Sequence, residues 1–130
     1  MSGADEAPSD DETVIPIQGQ AAQISNEMVR LYKSLFGRGP TRARTSYAGP
    51  DTILVTLEHS LTPAEQTLAE MGEHQRLRDV RMFFQYAREE DFRDVIERAT
   101  GRQVRAFISG IDTKQDVSVE LFYLHPRPSD

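Results

Sequence analysis

The chain has 130 residues, of which 38% are hydrophobic and 28% are charged, a composition typical of one globular domain. It contains no cysteine, which excludes disulfide bonds, thiolate metal sites and cysteine nucleophiles. No run approaches the ~18 apolar residues of a membrane span, and the N-terminus is acidic where a signal peptide would be basic. We therefore expect a cytoplasmic protein without direct membrane insertion.

The net charge of −6 is concentrated in the first 12 residues, which hold five acids and no base. Without these five, 15 bases face 16 acids, so the rest of the chain is nearly neutral. A nearly neutral domain cannot neutralise many phosphates of a nucleic-acid backbone, so we expect no nucleic-acid partner. We predict a disordered acidic tail over residues 1–13, a single α+β domain over 14–125 and a short C-terminal tail over 126–130.

The first predicted elements are an extended lead-in, a helix and a hairpin. The lead-in is Val14–Ile17, where Pro16 disfavours helix at the residue before it. A helix begins near Gln18 and ends at Gly37, with Pro soon after it. Two alternating runs around the Gly49–Asp51 turn then predict an antiparallel hairpin. The apolar face of the helix consists of Ile24, Met28, Leu31, Tyr32, Leu35 and Phe36.

A capping box is the clearest local signal in the chain. Thr62 occupies the cap, Pro63 the first helical position and Glu65 the third, so the threonine and glutamate side chains can satisfy each other's backbone donors. The apolar phase of the helix slips near Gly72, which predicts a bend or a change of packing partner there. The two phenylalanines of this helix are predicted to lie in the core. Its apolar positions are Leu68, Met71, Leu77, Val80, Phe83, Phe84 and Ala87.

A further helix and a second hairpin complete the pattern. The helix covers Glu89–Thr100, begins with acidic residues and ends at Gly101. The segments Val104–Ser109 and Val117–Leu124 alternate on either side of the Asp112–Asp116 loop and predict two strands. The order α-β-β-α-α-β-β predicts an α+β fold with helices packed on a four-stranded, mainly antiparallel sheet.

The alternation also predicts an unusual second face of the sheet. An antiparallel sheet that is covered on one side normally carries polar residues on the other. Here the second face is predicted to carry Leu54, Phe107, Phe122 and Leu124. Either the first helix packs behind the sheet, or this face is shared with a second copy of the chain. We favour the homodimer.

One glycine-rich turn is a candidate site for a small anion. Backbone N–H groups of such a turn can form an anion-binding nest, and neighbouring guanidinium groups would reinforce it. The alternative is a helix stop with solvated arginines. The spacing is not that of a Walker loop, and the turn follows a helix where a dinucleotide fingerprint follows a strand. The candidate ligand-binding residues are Arg38, Gly39, Thr41, Arg42 and Arg44.

No pattern in the sequence predicts an enzyme, a metal site or a cofactor. The histidines, His59, His74 and His125, lack the spacing of zinc ligands. Asp112 and Asp116 flank a turn and are few for a dedicated cation site. No serine lies in a G-x-S-x-G pattern. We expect no catalytic residues, no metal and no cofactor.

Short motifs along the chain match those of one bacterial family. They are Ile24–Asn26, Leu31–Lys33, the GRGPT turn at 37–41, Arg44–Thr45, Leu61–Glu65, Arg78–Gln85, Thr100–Val104, Phe107–Ser109 and Val119–Phe122. Over about residues 22–125 the chain resembles the MpsC-like family, which is associated with a proposed membrane-potential-generating, cation-translocating system. The resemblance implies a link to Na+ translocation and inorganic-carbon uptake, and supplies no catalytic residues.

Three functional hypotheses follow. Since a chain without a membrane span cannot itself move ions across a bilayer, the resemblance implies a non-enzymatic accessory or regulatory module with a membrane transport protein as partner. The second hypothesis is a small-anion sensor that uses the turn at 37–41 and its arginines. The third is an enzyme, which we disfavour because no pattern pairs a base with a nucleophile.

Overall fold

The computed structural model describes residues 17–127. The described residues form an antiparallel sheet with helices packed on it, which confirms the predicted α+β fold. The predicted acidic tail and residues 14–16 of the lead-in lie outside the described residues, as do the last three residues. The helices are α1 (Ile17–Phe36), α2 (Pro63–Glu70), α3 (His74–Ala87) and α4 (Glu89–Thr100), and the strands are β1 (Arg42–Tyr47), β2 (Thr52–Glu58), β3 (Val104–Asp112) and β4 (Val117–Leu124).

Two hairpins join to make the sheet. The strand order is β1-β2-β4-β3, and each neighbouring pair is antiparallel. The β1–β2 and β3–β4 pairs are the two predicted hairpins, and pairing of β2 with β4 connects them. The central strands are therefore β2 and β4, while β1 and β3 form the edges.

The helices α1, α3 and α4 pack on one face of the sheet. The first helix therefore does not lie behind the sheet, which rules out that one of the two alternatives for the second face. Burial of apolar side chains between the two layers is the main stabilising contribution. The core contains Ile24, Met28, Tyr32, Ile53, Val55, Leu57, Phe92, Val95, Ile96, Ala99, Val104, Phe107, Phe122 and Leu124.

Strand β4 has the opposite phase from the one predicted. Phe122 and Leu124, predicted on the second face, are fully buried against the helices. Because side chains alternate along a strand, Ser118 and Glu120 lie on the same buried side. With two polar residues on its core side, β4 has an alternation that does not by itself show which side is buried.

Strand β3 also departs from the prediction at its start. A register shift between Val104 and Ala106 places an extra residue in the strand, so Phe107 is buried on the same side as Val104. Of the predicted second-face residues, only Leu54 lies away from the helices. The side of the sheet that faces away from the helices is called the outer sheet face below. The apolar residues at its centre are Leu54, Ile108, Val119, Leu121 and Tyr123.

The predicted long helix is divided into α2 and α3. The expected bend is a complete break, because Gly72 adopts a φ of +80°, which helix does not allow. The capping box of α2 is confirmed, with Thr62 and Glu65 each bonded to the other's backbone N–H. Gly101 ends α4 in the left-handed conformation, as predicted.

Asp116 ties the two hairpins together. Its carboxylate accepts hydrogen bonds from the N–H groups of Ser60 (2.9 Å) and Leu61 (3.2 Å), and its carbonyl accepts one from the N–H of His59 (2.9 Å). The carboxylate of Asp112 accepts two N–H groups of its own turn. Both carboxylates that the sequence analysis considered as cation ligands thus have a structural role in turns.

The assignment of the buried sides of β4 and α3 can be tested by truncating one phenylalanine on each element. Phe122→Ala should lower the free energy of unfolding by about 3–5 kcal/mol, since it empties a fully buried position. Phe83→Ala should cost less than about 1 kcal/mol, because this side chain is 69% exposed. Urea unfolding of both variants at one protein concentration measures the difference. Equal costs would contradict the assigned phases.

Candidate functional site

Helix α3 faces the sheet with polar side chains. The residues it buries are Leu77, Arg81 and Gln85, which follow one another at steps of four and therefore share one side of the helix. The prediction that Phe83 and Phe84 lie in the core is wrong, because both are exposed. The inward side of α3 meets a buried polar cluster on the sheet.

Glu120 lies at the centre of this cluster. It is fully buried on central strand β4, directly between Val55 of β2 and Ser109 of β3. Its Oε2 accepts hydrogen bonds from the hydroxyl of Tyr32 on α1 and from Nε2 of Gln85 on α3, the latter at 3.0 Å. Nε2 of Gln85 also donates to the hydroxyl of Ser109. One carboxyl group therefore connects α1, α3 and the sheet.

Arg81 extends the cluster towards α2. Its Nε and Nη2 donate to the two carboxylate oxygens of Glu65, each at 2.8 Å, and Nη2 also donates to the carbonyl of Ser60 at 2.7 Å. The guanidinium carbon lies 3.7 Å from the ring centre of Phe36, a close cation–π contact. Glu65 balances the charge of Arg81, and no other cation within residues 17–127 forms an ion pair with Glu120.

Several polar atoms of the cluster have no hydrogen-bond partner within residues 17–127. They include Nη1 of Arg81, Oε1 of Gln85 and Oε1 of Glu120. Burial without a partner costs a polar atom on the order of 1–3 kcal/mol, so these atoms reduce the net contribution of the cluster to stability.

Burial also sets the ionisation of the cluster. Desolvation raises the pKa of Glu120 to about 8, against the opposing effects of hydrogen bonds from Ser109 and Tyr32 and of the Arg81 charge. Burial, followed by the charge of Glu120, raises the pKa of Tyr32 well above its ordinary value. Burial would also raise the pKa of Glu65, but hydrogen bonds from Arg81 and from the Thr62 backbone outweigh it and lower this pKa. Glu120 is therefore largely protonated at neutral pH, while Glu65 is charged.

An exposed apolar stripe runs along α3 beside the exposed charged residues Arg76 and Asp79. Val80 is 42% exposed, Phe83 69% and Phe84 43%, and Ala87 is also exposed. These four residues, called the α3 stripe below, follow at steps of three, one and three and so form one continuous surface. Phe84 packs edge-on against Phe36 with ring centres 6.5 Å apart, which leaves most of the stripe uncovered.

The predicted anion site is in part a helix cap. The N–H of Gly37 donates to the carbonyl of Lys33, and the N–H of Thr41 donates to the carbonyl of Glu58. A Cβ on Gly39 would lie 3.2 Å from Val29, so this glycine allows the turn to pack against α1. Two N–H groups of the predicted nest are thus already used.

The structure places the arginines of that site on two elements. Arg42 and Arg44 lie on the exposed side of β1, whereas Arg38 lies in the preceding turn. Glu58 is directly opposite Arg42 on β2, and a carboxylate there opposes anion binding at this end. Within residues 17–127, none of the three arginines forms an ion pair, so they stay available to an anion.

Two histidines bind threonine hydroxyls. Nδ1 of His59 lies 2.8 Å from Oγ1 of Thr41, and Nδ1 of His74 lies 2.8 Å from Oγ1 of Thr113. In hydrolytic triads, a carboxylate hydrogen-bonds to the histidine and orients it as the base. In the described part of the chain, no carboxylate hydrogen-bonds to either imidazole. The same residues contain no group of three or more metal-ligating side chains suited to a metal ion.

An open groove of about 420 Å³ lies between α1 and α4. Its charged walls are largely paired with each other, since Arg98 bonds to Glu27 at 2.6 Å and Arg88 bonds to Asp91 at 2.5 Å. Paired charges offer little to a charged ligand. The α3 stripe, by contrast, is an exposed apolar surface that the contacts within residues 17–127 leave largely uncovered.

Comparison with known proteins supports a family assignment. The fold and site describe a small α+β domain with a protonatable buried cluster and an exposed apolar stripe on α3. A family model described as "Na+-translocating membrane potential-generating system (MpsC)" matches residues 18–126, and the chain belongs to this family. No curated protein and no solved structure matches the chain. Among residues 17–127, no helix has both the length and the apolar character needed to cross a bilayer.

The ionisation of Glu120 predicts a pH-dependent stability. Between about pH 4.5 and pH 8 the folded chain retains a proton that the unfolded chain releases, so stability should fall as the pH rises through this range. The slope contributed by one such group reaches about 1.4 kcal/mol per pH unit. Glu120→Gln removes the ionisable group, and its stability relative to wild type should rise with pH over the same range.

Urea unfolding from pH 5 to pH 9 measures this difference. Glu70→Gln is the matched control, because it removes an exposed carboxyl from α2. The control should follow the wild-type slope. If Glu120→Gln and wild type show parallel pH profiles, the carboxyl of Glu120 does not retain its proton in the folded state.

Proposed function

We propose that this domain is a non-enzymatic cytoplasmic accessory or regulatory module of a membrane ion or inorganic-carbon transport system. Its α3 stripe docks onto a protein component of that system. The observation that carries the proposal is the orientation of α3, which buries Arg81 and Gln85 and exposes two phenylalanines. Family membership supports the choice of partner, since the family description names a Na+-translocating system.

The α3 stripe has the spacing of a helix that binds in a groove. Val80, Phe83, Phe84 and Ala87 occupy positions i, i+3, i+4 and i+7, which are the anchor positions of helix-in-groove recognition. Aromatic anchors contribute most of the binding energy in many interfaces, because they bury large apolar areas at a low cost in side-chain entropy. The partner is therefore expected to present an apolar groove.

Exposed charges of both signs lie beside the stripe. Arg76 and Arg88 are bases close to it in sequence, and Asp79 and Glu90 are acids. Helices that lie on membranes carry mainly lysine and arginine on their polar side, and this mixed pattern differs from theirs. A protein groove can offer partners to charges of both signs.

A regulatory role draws support from the cluster behind the stripe. Gln85 bonds to Glu120 from the same helix that exposes Phe84. A change in the buried cluster would therefore act on a helix that also carries the docking surface. No reaction is assigned, because neither hydroxyl–imidazole pair has an orienting carboxylate within the described residues.

A second candidate function is small-anion sensing at the turn of residues 37–41. The observation that favours it is the absence of ion pairs at Arg38, Arg42 and Arg44 within residues 17–127. Guanidinium groups without partners can bind bicarbonate, phosphate or a carboxylate.

The docking proposal predicts that Phe83→Ser/Phe84→Ser reduces recovery of a Na+-transport subunit at least tenfold. Tagged chain is incubated with detergent-solubilised membranes of the source organism, and bound proteins are identified by mass spectrometry. Met71→Ser is the control, because Met71 is 67% exposed but lies outside the stripe. It should recover as much partner as wild type.

Two results would refute the docking proposal. One is equal recovery of the transport subunit by wild type and the double variant. The other is binding of the wild type, but not of the double variant, to protein-free anionic vesicles, which would make the α3 stripe a lipid-binding surface. Circular dichroism of the double variant establishes that it is folded.

The anion proposal predicts thermal stabilisation by one anion of a panel of bicarbonate, phosphate and acetate. At a large excess over Kd, the Tm of wild type should rise by several degrees, and Arg44→Ala should abolish the rise. Arg76→Ala on α3 is the control, and its response should equal that of wild type. Unchanged melting across the panel would rule out the anion site.

A further inference from the structure

The outer sheet face is an apolar surface without a cover among the described elements. Its central row, Ser46, Leu54, Leu121 and Ile108, crosses all four strands, and Ile108 is 49% exposed. Val119 and Tyr123 extend the apolar area along β4, and Arg105 of β3 lies over the ring of Tyr123, with the guanidinium carbon 5.4 Å from the ring centre. A sheet face in contact with water normally alternates to polar residues, so this composition is typical of a buried face.

We propose that a second copy of this chain covers the outer sheet face, with the two sheets stacked face to face around a two-fold axis parallel to the strands. The proposal concerns the surface opposite to the α3 stripe and does not rest on the docking function. Sheets that pack in this aligned manner lie about 10 Å apart and cross at about 30°.

The size of the face meets the requirement for a weak dimer. Four strands spaced about 4.8 Å apart and about 8 residues long at roughly 3.3 Å each give a face of about 500 Å². Two copies would then cover about 1,000 Å² between them, which is the lower end for a specific interface. We therefore expect micromolar dimerisation.

The distribution of charge selects this arrangement of the two copies. At one end of the sheet, the register aligns Arg42 of β1 with Glu58 of β2, Val117 of β4 and Asp112 of β3. The outer face thus has an arginine at one edge and an aspartate at the opposite edge of the same row. A two-fold axis parallel to the strands places β1 over β3 of the second copy and preserves the row. Arg42 then meets Asp112 of the second copy, twice in the dimer.

The next row fits the same arrangement. Arg44 aligns with Thr56, Val119 and Gly110 across the sheet. In the stacked dimer, Arg44 lies over Gly110 of the second copy, where the missing side chain leaves space for the arginine stem. An axis perpendicular to the strands would instead stack the two β1 edges and bring their arginines together, which like charges oppose.

Light scattering after size-exclusion chromatography tests the dimer on the full chain at about 100 µM. The expected mass is twice the chain mass of 14.7 kDa. Leu121→Lys should give a monomer, because it places a charge at the centre of the interface. Phe83→Ser/Phe84→Ser should leave the dimer intact, since the α3 stripe lies on the helical side.

A charge reversal tests the axis. Arg42→Asp and Asp112→Arg should each raise the dissociation constant about tenfold, and the double variant should restore dimerisation. Lys33→Asp on α1 is the control for a change of net charge and should have no such effect. Circular dichroism melts are included because Asp112 also accepts two backbone N–H groups in its turn.

Three results would overturn the proposal. A wild-type mass of 14.7 kDa at 100 µM would exclude the dimer, and a dimer that survives Leu121→Lys would exclude the outer sheet face as its interface. A dimer that is lost in Phe83→Ser/Phe84→Ser would place the interface on α3. Failure of the docking function would instead appear only in the recovery of membrane proteins, so the two proposals fail separately.

Discussion

The hydrogen bonds beneath α3 determine which side of this helix faces the solvent. Arg81 and Gln85 are one helical turn apart, and both are held on the sheet side, by Glu65 and Ser60 in one case and by Glu120 and Ser109 in the other. Rotating α3 to bury its phenylalanines would break these bonds and leave the polar groups of the sheet against aromatic rings, at a cost of several kcal/mol. The exposure of the α3 stripe therefore follows from the polarity of the buried cluster.

A protonated Glu120 is compatible with this central position. An isolated carboxylate on a buried strand would need a cation, and the nearby guanidinium of Arg81 is already paired with Glu65. Retaining a proton removes that requirement, so the carboxyl can receive hydrogen bonds from Tyr32 and Gln85 without a counter-charge. The same burial that raises its pKa therefore also explains how the cluster fits between two layers of apolar side chains.

Sequence patterns predicted the local features of this fold because each depends on neighbouring residues. The capping box at Thr62, the stop at Gly101 and both hairpins required only short spacings. The sides of β4 and α3 that face the core could not be predicted in the same way. The core side of each contains polar residues, and their hydrogen-bond partners are distant in the sequence. Tyr32 and Glu120, for example, are 88 residues apart in the chain. Arg81 and Gln85 are four residues apart in α3. This spacing indicates the buried side of the helix only when the polar residues of the strand beneath it are known.

The two apolar surfaces lie on opposite sides of the molecule, and this separation has a functional consequence. Helices α1, α3 and α4 occupy one side of the sheet, so a second copy stacked on the outer sheet face would contact neither Phe83 nor Phe84. Each dimer would then present two α3 stripes facing away from each other. Each stripe would then bind its own partner, so one dimer would link two copies of that partner from opposite sides.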